Sequence, residues 1–444
     1  MSSTTSTTPR RELGFWMCTA LVVGNTIGIG IFMMPAALAP YGLNALIGWA
    51  ITVIGCMFLA RVFARLAQLY PAADGPYAYI RSTLGHWPAF LSMWSYWVSN
   101  WITNATLAVS VVGYLDAAVP SLARLPPALL ALALLWLFVV VNLLGTRAGG
   151  RVQVVCTVLK LLPMVAVVLL GAWVLFADTG AYTRTVPATA LSFPQTMAAS
   201  TIALFAMLGL ESASVPAGRV RDPGRNIPRA TLIGTLLTAV IYILVSTVPL
   251  LLIPQAELAQ SSAPFVDLLD HHLGEGNGRW LALFVVVSGL GALNGWTLIV
   301  GNLTTTMAAQ GDFPALFARQ NRHGAPARAL VVTGLFASAM ILMNYSKSLV
   351  DGFVFLSTIV TAASLPLYLC SSLALVVMWR RGERPAGSDL QVMGLLGTAY
   401  VVLTFYGVGH VPFLWALALA AAGVPFALWT RRGGRAQRVP SAVS

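Results

Sequence analysis

Charged residues are scarce in this chain. Asp, Glu, Lys and Arg together make up 9% of its 444 residues, whereas hydrophobic residues make up 58%. Its mean hydropathy is +0.80. A water-soluble domain of this length has too little interior to hide so much apolar surface, so the composition excludes a soluble fold. It predicts a protein that crosses a membrane many times.

Cysteine is scarce as well. The four cysteines lie inside hydrophobic runs, where they give neither a disulfide framework nor the spacing of metal ligands. His271 and His272 stand beside carboxylates in a polar loop, and a metal site is one interpretation of that pair. A solvated acidic loop is the simpler interpretation, because no further ligand has helical spacing. We therefore expect no metal and no cofactor.

Twelve apolar runs are long enough to cross a bilayer. They lie near 13–38, 42–68, 88–118, 126–145, 153–176, 194–217, 229–253, 279–308, 328–345, 351–378, 391–409 and 412–430. They predict an all-α polytopic membrane protein with twelve transmembrane helices. The core spans 13–378, two further helices follow over 391–430, and polar tails cover 1–12 and 431–444. The first run is too long for the apolar part of a cleavable leader.

The net charge of +12 invites a nucleic-acid interpretation, but the distribution of the charge argues against it. With the N-terminus inside, 21 of the 26 Lys and Arg residues fall in inside connections and four fall outside, while Lys160 remains within a run. Such asymmetry follows the positive-inside rule and predicts that both termini are cytoplasmic. We expect a lipid bilayer around the chain and no nucleic-acid partner.

The first apolar run is interrupted at its centre. From Gly24 to Phe32 it reads Gly-Asn-Thr-Ile-Gly-Ile-Gly-Ile-Phe, and each glycine costs a helix roughly 0.5–1 kcal/mol relative to alanine. The sixth run is interrupted at the corresponding place by Gly209, Glu211 and Pro216. Discontinuous helices at matching positions are typical of two inverted repeats, here about 13–176 and 194–378, that meet at a binding site. Close packing of small residues is the alternative explanation.

Two helices that stop at mid-membrane leave free backbone groups there. The N–H groups of Gly28 and Gly30 could reach a carboxylate without interference from a Cβ, at the positive end of a helix dipole. Free carbonyls near Asn25–Ile27 and Ala203–Leu208 could meet an ammonium. The pattern therefore predicts a site for a molecule that carries both charges, such as an amino acid. The candidate substrate-binding residues on the two breaks are Asn25, Thr26, Gly28, Ile29, Gly30, Phe205 and Leu208.

Two ionisable residues remain deep in the apolar runs, and such residues are expensive enough to suggest a function. Lys160 could snorkel its ammonium to the cytoplasmic surface, or it could be a fixed cation or a proton carrier inside the bundle. Glu211 could be a carboxyl group satisfied by neighbouring serines, or it could sense protons. The sequence leaves both pairs of alternatives open.

A polar stripe runs along the third apolar run. Tyr96, Asn100 and Asn104 stand at helical spacing and Thr103 belongs to the same stripe, and lipid exposure would leave their hydrogen bonds unmet. They therefore face the interior, either as contacts between helices or, as we favour, as the lining of a pathway. Trp296 stands among small and polar residues in mid-run, which favours the wall of a cavity.

These motifs together resemble the amino acid–polyamine–organocation (APC) superfamily, and most closely its arginine/agmatine antiporters. The stretches that carry the resemblance are Gly24–Pro35, Gly75–Tyr79, Arg151–Val154, Gly209–Pro228 and Gly295–Leu298. The resemblance covers nearly the whole chain. It implies a LeuT-type fold of 5+5 inverted repeats, alternating access, and a substrate held between discontinuous helices 1 and 6.

The resemblance also implies roles for individual residues. Phe205 is similar to a gating aromatic residue, Trp296 to the tryptophan that stacks on the substrate, and Glu211 to a proposed proton sensor. Tyr96 and Asn104 match residues of the family's third helix, whereas Asn100 replaces a cysteine and Leu107 a methionine. Ile29 replaces the serine of a Gly-Ser-Gly motif. Lys160 has no counterpart in the arginine/agmatine antiporters, and it is similar to a lysine that occupies a vacated sodium site in other amino-acid permeases.

The sequence thus predicts a sodium-independent amino-acid transporter of the inner membrane, working as an amino acid/amine antiporter of the arginine/agmatine type. The alternative is a proton-coupled permease or exporter of neutral amino acids, which Lys160, Ile29 and Leu107 favour. An enzyme is not expected, because the polar pairs needed for hydrolysis are missing. The partner is an amino acid or a polyamine, and a homodimer is compatible with the prediction.

Overall fold

Helices make up the regular structure of the residues that this computed structural model describes, which are 14–70, 75–145, 159–178, 189–210, 220–344, 346–383 and 389–435. In chain order the α-helices are α1 (Phe15–Thr26), α2 (Gly30–Leu38), α3 (Leu43–Leu69), α4 (Pro76–Leu84), α5 (His86–Ala118), α6 (Pro127–Leu143), α7 (Leu161–Ala177), α8 (Phe193–Ala206), α9 (Pro223–Leu252), α10 (Gln255–Leu258), α11 (Pro264–Leu273), α12 (Arg279–Ala309), α13 (Ala327–Met343), α14 (Leu349–Arg380), α15 (Leu390–Gly407), α16 (His410–Ala421) and α17 (Gly423–Arg435).

Six segments among the described residues are long and apolar enough to cross a membrane. They are α3, α9, α12, α14, α15 and the segment His410–Leu428, and shorter apolar helices such as α2, α6, α7 and α13 accompany them. This architecture agrees with the prediction of an all-α polytopic membrane protein. The last predicted span is one apolar segment divided at Ala422. Pro425 lacks the N–H that would bond the Ala421 carbonyl, which explains the division.

The interruption of the first apolar run is present. Helix α1 ends at Thr26, Ile27 adopts extended backbone angles (φ −72°, ψ 97°), and α2 begins at Gly30. The N–H of Ile27 still bonds the Val23 carbonyl at 2.9 Å, and the N–H of Phe32 bonds the Ile29 carbonyl at 3.0 Å. The chain therefore leaves the helix for about one turn and then resumes it.

The interruption of the sixth run is described only on one side. Helix α8 ends at Ala206, and a turn over Met207, Leu208 and Gly209 follows it. Gly209 has a φ of +101°, a left-handed conformation that a side chain would make costly. Residues 211–219, which include the predicted site residue Glu211, lie outside the described residues.

The break in the first run lies in the middle of the helix bundle. Helix α5 packs between α12 and α14, while α9 packs against both α1 and α3. Helix α2 is buried along its whole length. Two tyrosine hydroxyls from neighbouring helices donate to carbonyls of the broken segment: Tyr114 to Phe32 at 2.8 Å and Tyr242 to Thr26 at 2.9 Å. The Thr26 carbonyl, at the end of α1, thus has a donor from a surrounding helix although no helical turn follows it.

Helices α3 and α15 approach each other closely at Gly55. A Cβ built on Gly55 would overlap the ring of Tyr400, which is 5% exposed. We expect Gly55→Ala to lower the stability by about 1–3 kcal/mol, the usual cost of overpacking a core. Gly224→Ala, at a helical site with nothing within 4 Å of the added Cβ, is the matched control. Thermal unfolding of the purified protein in detergent measures both, and equal midpoints for the two variants would contradict this packing.

Candidate functional site

A small cavity lies between the break of the first run and the end of α8. It holds about 30 Å³ of free volume. We call it the central cavity, and the described residues that line it are Thr26, Gly28, Gly30, Ile31, Thr103, Leu107, Phe205, Ala206, Leu208, Tyr242 and Trp296. Six of the residues predicted from sequence are therefore brought together: Thr26, Gly28, Gly30, Phe205, Leu208 and Trp296. None of the described lining residues carries a charge.

The start of α2 supplies backbone donors to this cavity. No side chain caps the helix N-terminus, and Gly28 and Gly30 both line the cavity. The ring of Phe205 lies directly on Gly30, because a Cβ built there would stand 2.6 Å from the Cε1 atom of Phe205. Phe205 also makes an edge contact with Phe353, with the ring centroids 5.7 Å apart. The uncapped helix start can attract an anion, and Phe205 covers it.

Lys160 reaches the other side of the break. Its Nζ donates to the Gly24 carbonyl at 2.5 Å and to the Ile27 carbonyl at 2.6 Å, and the residue is 4% exposed. Both carbonyls lie where α1 ends, so the ammonium meets the negative end of the helix dipole. Charge-assisted hydrogen bonds of this kind are stronger than neutral ones. The snorkelling orientation, which the sequence left open, is not the one that this lysine adopts.

Tyr242 is a residue of the site that the sequence reasoning missed. It is fully buried on α9, donates to the Thr26 carbonyl, and its hydroxyl also has a hydrogen bond with the backbone of Gly28. Its ring packs against Trp49, whose indole donates to Ser246 at 3.0 Å. One signal was available, since a tyrosine in mid-span needs a partner for its hydroxyl.

The backbone carbonyls at the first break are therefore not free, in contrast to the prediction. Those of Gly24, Thr26 and Ile27 accept hydrogen bonds from Lys160 and Tyr242, so protein groups already use the sites assigned to a substrate ammonium. The end of α8 is the other carbonyl-bearing edge of the cavity. The side chain of Asn25, another predicted site residue, lies outside the described part of the structure.

Ile29 does not line the cavity. Its side chain is fully buried and points toward α12, where it would meet a Cβ built on Gly289, close to Val111 of α5. We expected the replacement of a serine by Ile29 to alter the binding site. In this structure the Ile29 side chain instead packs between helices. A hydroxyl at this position would face an apolar contact.

One member of the polar stripe of α5, Thr103, lines the cavity, whereas the other three lie beside it. The Nδ2 of Asn100 donates to the Tyr96 carbonyl at 2.6 Å, and the Oδ1 of Asn104 accepts from Thr297 at 3.4 Å. These are contacts within and between helices, whereas the pathway lining that we favoured comes from Thr103 and Leu107 on the same helix. The difference arises because the cavity faces the next side chains around the helix.

Hydrogen bonds join the residues on either side of Trp296 in the sequence to neighbouring helices. Asn294 accepts from the Nδ2 of Asn142 at 3.0 Å, and Thr297 donates to Asn104. All four polar residues are at most 3% exposed. Helices α5, α6 and α12 are thereby joined within two residues of Trp296, which lines the cavity.

Comparison with known proteins identifies the family. The family described as amino acid permease matches residues 13–431. A Bacillus subtilis protein provisionally named an arginine/ornithine antiporter is 31% identical over 428 residues, covering 88% of this chain and 91% of its own. A cadaverine/lysine antiporter of Escherichia coli K12 is 32% identical over 338 residues, covering 75% of each chain. A putrescine transporter of the same strain is 29% identical over 425 residues and 95% of each chain.

The match extends over the broken first run, α5, α8 and α12, which together enclose the cavity. The chain therefore belongs to the amino acid permease family of the APC superfamily, and it is a membrane transporter and not an enzyme.

Proposed function

We propose that this protein is a sodium-independent amino acid/amine antiporter of the arginine/agmatine type, working by alternating access in the inner membrane. One observation carries the amino-acid part of the proposal: the Lys160 ammonium sits on carbonyls at one side of the helix break, while Gly28 and Gly30 line the cavity on the other. A fixed cation near the break and the positive end of the α2 dipole at Gly30 favour a ligand that carries a carboxylate. The antiporter part is supported by the relatives, which are named as antiporters of basic amino acids.

The architecture behind this proposal has twelve transmembrane helices in a LeuT-type arrangement. Its inverted repeats are about 13–176 and 194–378, helices 11 and 12 follow at 391–430, and the tails 1–12 and 431–444 lie in the cytoplasm. The six long spans, the shorter apolar helices and the broken first helix support this arrangement. The excess of Arg in one set of connections supports the orientation.

The central cavity divides into three parts that suit an amino acid. The carboxylate would bind at Gly28 and Gly30, and the α-ammonium at the carbonyl end of α8. The side chain would lie against Trp296, whose ring can stack on a cationic or elongated group. Free volume of about 30 Å³ holds about one water molecule, so substrate binding requires Phe205 to move off Gly30, in keeping with a gating role.

Sodium independence follows from the charge of Lys160. An ammonium that already bonds the carbonyls of Gly24 and Ile27 occupies the oxygens that a sodium ion would need. A second cation at that point would meet like-charge repulsion in a medium of low dielectric constant. Glu211 remains the proposed proton-sensing residue.

The substrates proposed here take their class from the relatives. Their names pair arginine with ornithine and lysine with cadaverine, or specify putrescine, so each binds a chain with a terminal cation. A proton-coupled permease or exporter for neutral amino acids is the second candidate. The uncharged wall of the described cavity favours it, because no described lining residue neutralises a cationic side chain.

Exchange across liposomes distinguishes the two. We expect vesicles preloaded with agmatine, putrescine or unlabelled arginine to take up labelled arginine at least about tenfold faster than empty vesicles, because an antiporter reorients with its site loaded. Replacement of sodium by potassium should leave the rate unchanged. Uptake into empty vesicles that is driven by a pH gradient and insensitive to arginine would contradict antiport of this type.

Lys160 offers the sharpest test of the site. Lys160→Ala leaves the Gly24 and Ile27 carbonyls without their ammonium, so we expect the exchange rate to fall by at least about tenfold. Lys160→Arg keeps the charge but not the compact ammonium, and we expect it to restore little of the rate. Thermal unfolding in detergent shows whether each variant is folded. A wild-type exchange rate for a folded Lys160→Ala protein would contradict the role given to this residue.

A further inference from the structure

A second and much larger cavity lies at one end of the bundle. It measures about 560 Å³, within the range of small-molecule sites, whereas the central cavity holds about 30 Å³. We call it the end cavity. The first turns of α14 form one wall, Ile202 of α8 forms part of another, and the link between α15 and α16 closes the third side.

The start of α14 and the residue two positions before it give the end cavity its charge. Lys347 and Asp351 both line it, as does Phe355 one turn further along the helix. The Nζ of Lys347 lies over the Phe355 ring, 3.6 Å from its centroid. A primary ammonium of the chain itself thus rests on this aromatic face, which indicates that the face accepts such a group.

Asp351 provides the opposite charge beside that ring. It is exposed, and one of its carboxylate oxygens accepts from Ser348 at 2.7 Å. A carboxylate has lone pairs for further donors, so an ammonium above Phe355 can also pair with it. Ring and carboxylate lie one helical turn apart on the same face of α14.

The rest of the wall is apolar and leads toward the central cavity. Ile202 and Val354 contribute aliphatic surface to the end cavity. Phe205 stands one turn beyond Ile202 on α8 and meets Phe353 edge-on. The two cavities are therefore lined by neighbouring turns of α8, with Ile202 in the end cavity and Phe205 in the central one.

Lys347 has another acceptor within its own turn. Asn344 is 7% exposed, and its Oδ1 has no hydrogen-bond partner among the described residues. Asn344 and Lys347 together line a neighbouring cavity of about 120 Å³. Lys347 therefore borders both this cavity and the end cavity.

We propose that the end cavity is a second binding site, which takes a primary ammonium on an aliphatic chain and seats it between Phe355 and Asp351. It rests on the proposed function, since diamines and basic amino acids are the proposed substrates, and the proposed topology places it on the outer face, where Lys347 lies. The ligand displaces the Lys347 ammonium, and its aliphatic part contacts Ile202 and Val354.

Equilibrium binding to the purified full chain in detergent tests this site, with labelled putrescine and labelled L-arginine as separate probes. We expect two sites per chain in the wild type. Asp351→Asn should weaken one of them at least about threefold, the effect of losing a partly exposed ion pair. Phe355→Leu should do the same through the lost ring. Glu275→Gln removes an exposed carboxylate outside the cavity and should leave both sites unchanged.

Two further variants separate the possible outcomes. Gly30→Ala, which crowds Phe205 at the central cavity, should lose the other site and keep the one that depends on Asp351. Lys347→Gln should increase the affinity of the end cavity for putrescine, because it removes the competing ammonium. The affinity for arginine should not increase, because the arginine carboxylate loses Lys347 as a partner. One site per chain in a wild type that exchanges substrates, or two sites that Asp351→Asn and Phe355→Leu leave unchanged, would overturn the proposal. Absence of both binding and exchange would overturn the proposed function as well.

Discussion

The contact on which the site depends is the one between the Lys160 ammonium and the carbonyls of Gly24 and Ile27. A helix that stops inside a membrane exposes carbonyls that have no water to bind. Lys160 meets two of them and Tyr242 a third. The break can therefore persist in an apolar bundle, and the N-terminal end of α2 stays open toward the cavity. Removing the ammonium would leave the Gly24 and Ile27 carbonyls without this donor, and it would remove the positive charge beside them.

The backbone polar groups at the break fall into two sets: one is hydrogen-bonded by the protein, and the other lines the cavity. The carbonyl side is held by the protein, whereas the start of α2 has no cap from the Ile29 side chain, and Gly28 and Gly30 line the cavity there. Phe205 lies on that side and closes the cavity to about the volume of one water molecule. The same aromatic residue packs edge-on against Phe353 of α14, the helix whose first turns line the end cavity. Phe205 lines the central cavity, and its contact with α14 is the link between the two cavities.

Local signals in the sequence predicted much of this arrangement. Glycines predicted the break, and helical periodicity and length predicted the apolar helices. The partners of Lys160 could not be predicted, because they depend on how the start of α7 meets α1. The orientation of Ile29 is also decided by packing, against Gly289 and Val111. On α5 the sequence placed Tyr96, Asn100, Thr103 and Asn104 in one polar stripe, of which Thr103 lines the cavity together with Leu107. Adjacent residues of a helix point in different directions, so Thr103 faces the cavity and Asn104 does not.

The most direct test of the account is an experimental structure of the full chain with saturating L-arginine. The account predicts ligand density at the break, with the carboxylate within hydrogen-bond distance of the backbone N–H groups of Gly28 and Gly30, the Phe205 ring displaced from Gly30, and the Lys160 ammonium still bound to the carbonyls of Gly24 and Ile27. Density for the ligand only away from the break, or a Lys160 ammonium that has left those carbonyls for the membrane surface, would contradict it.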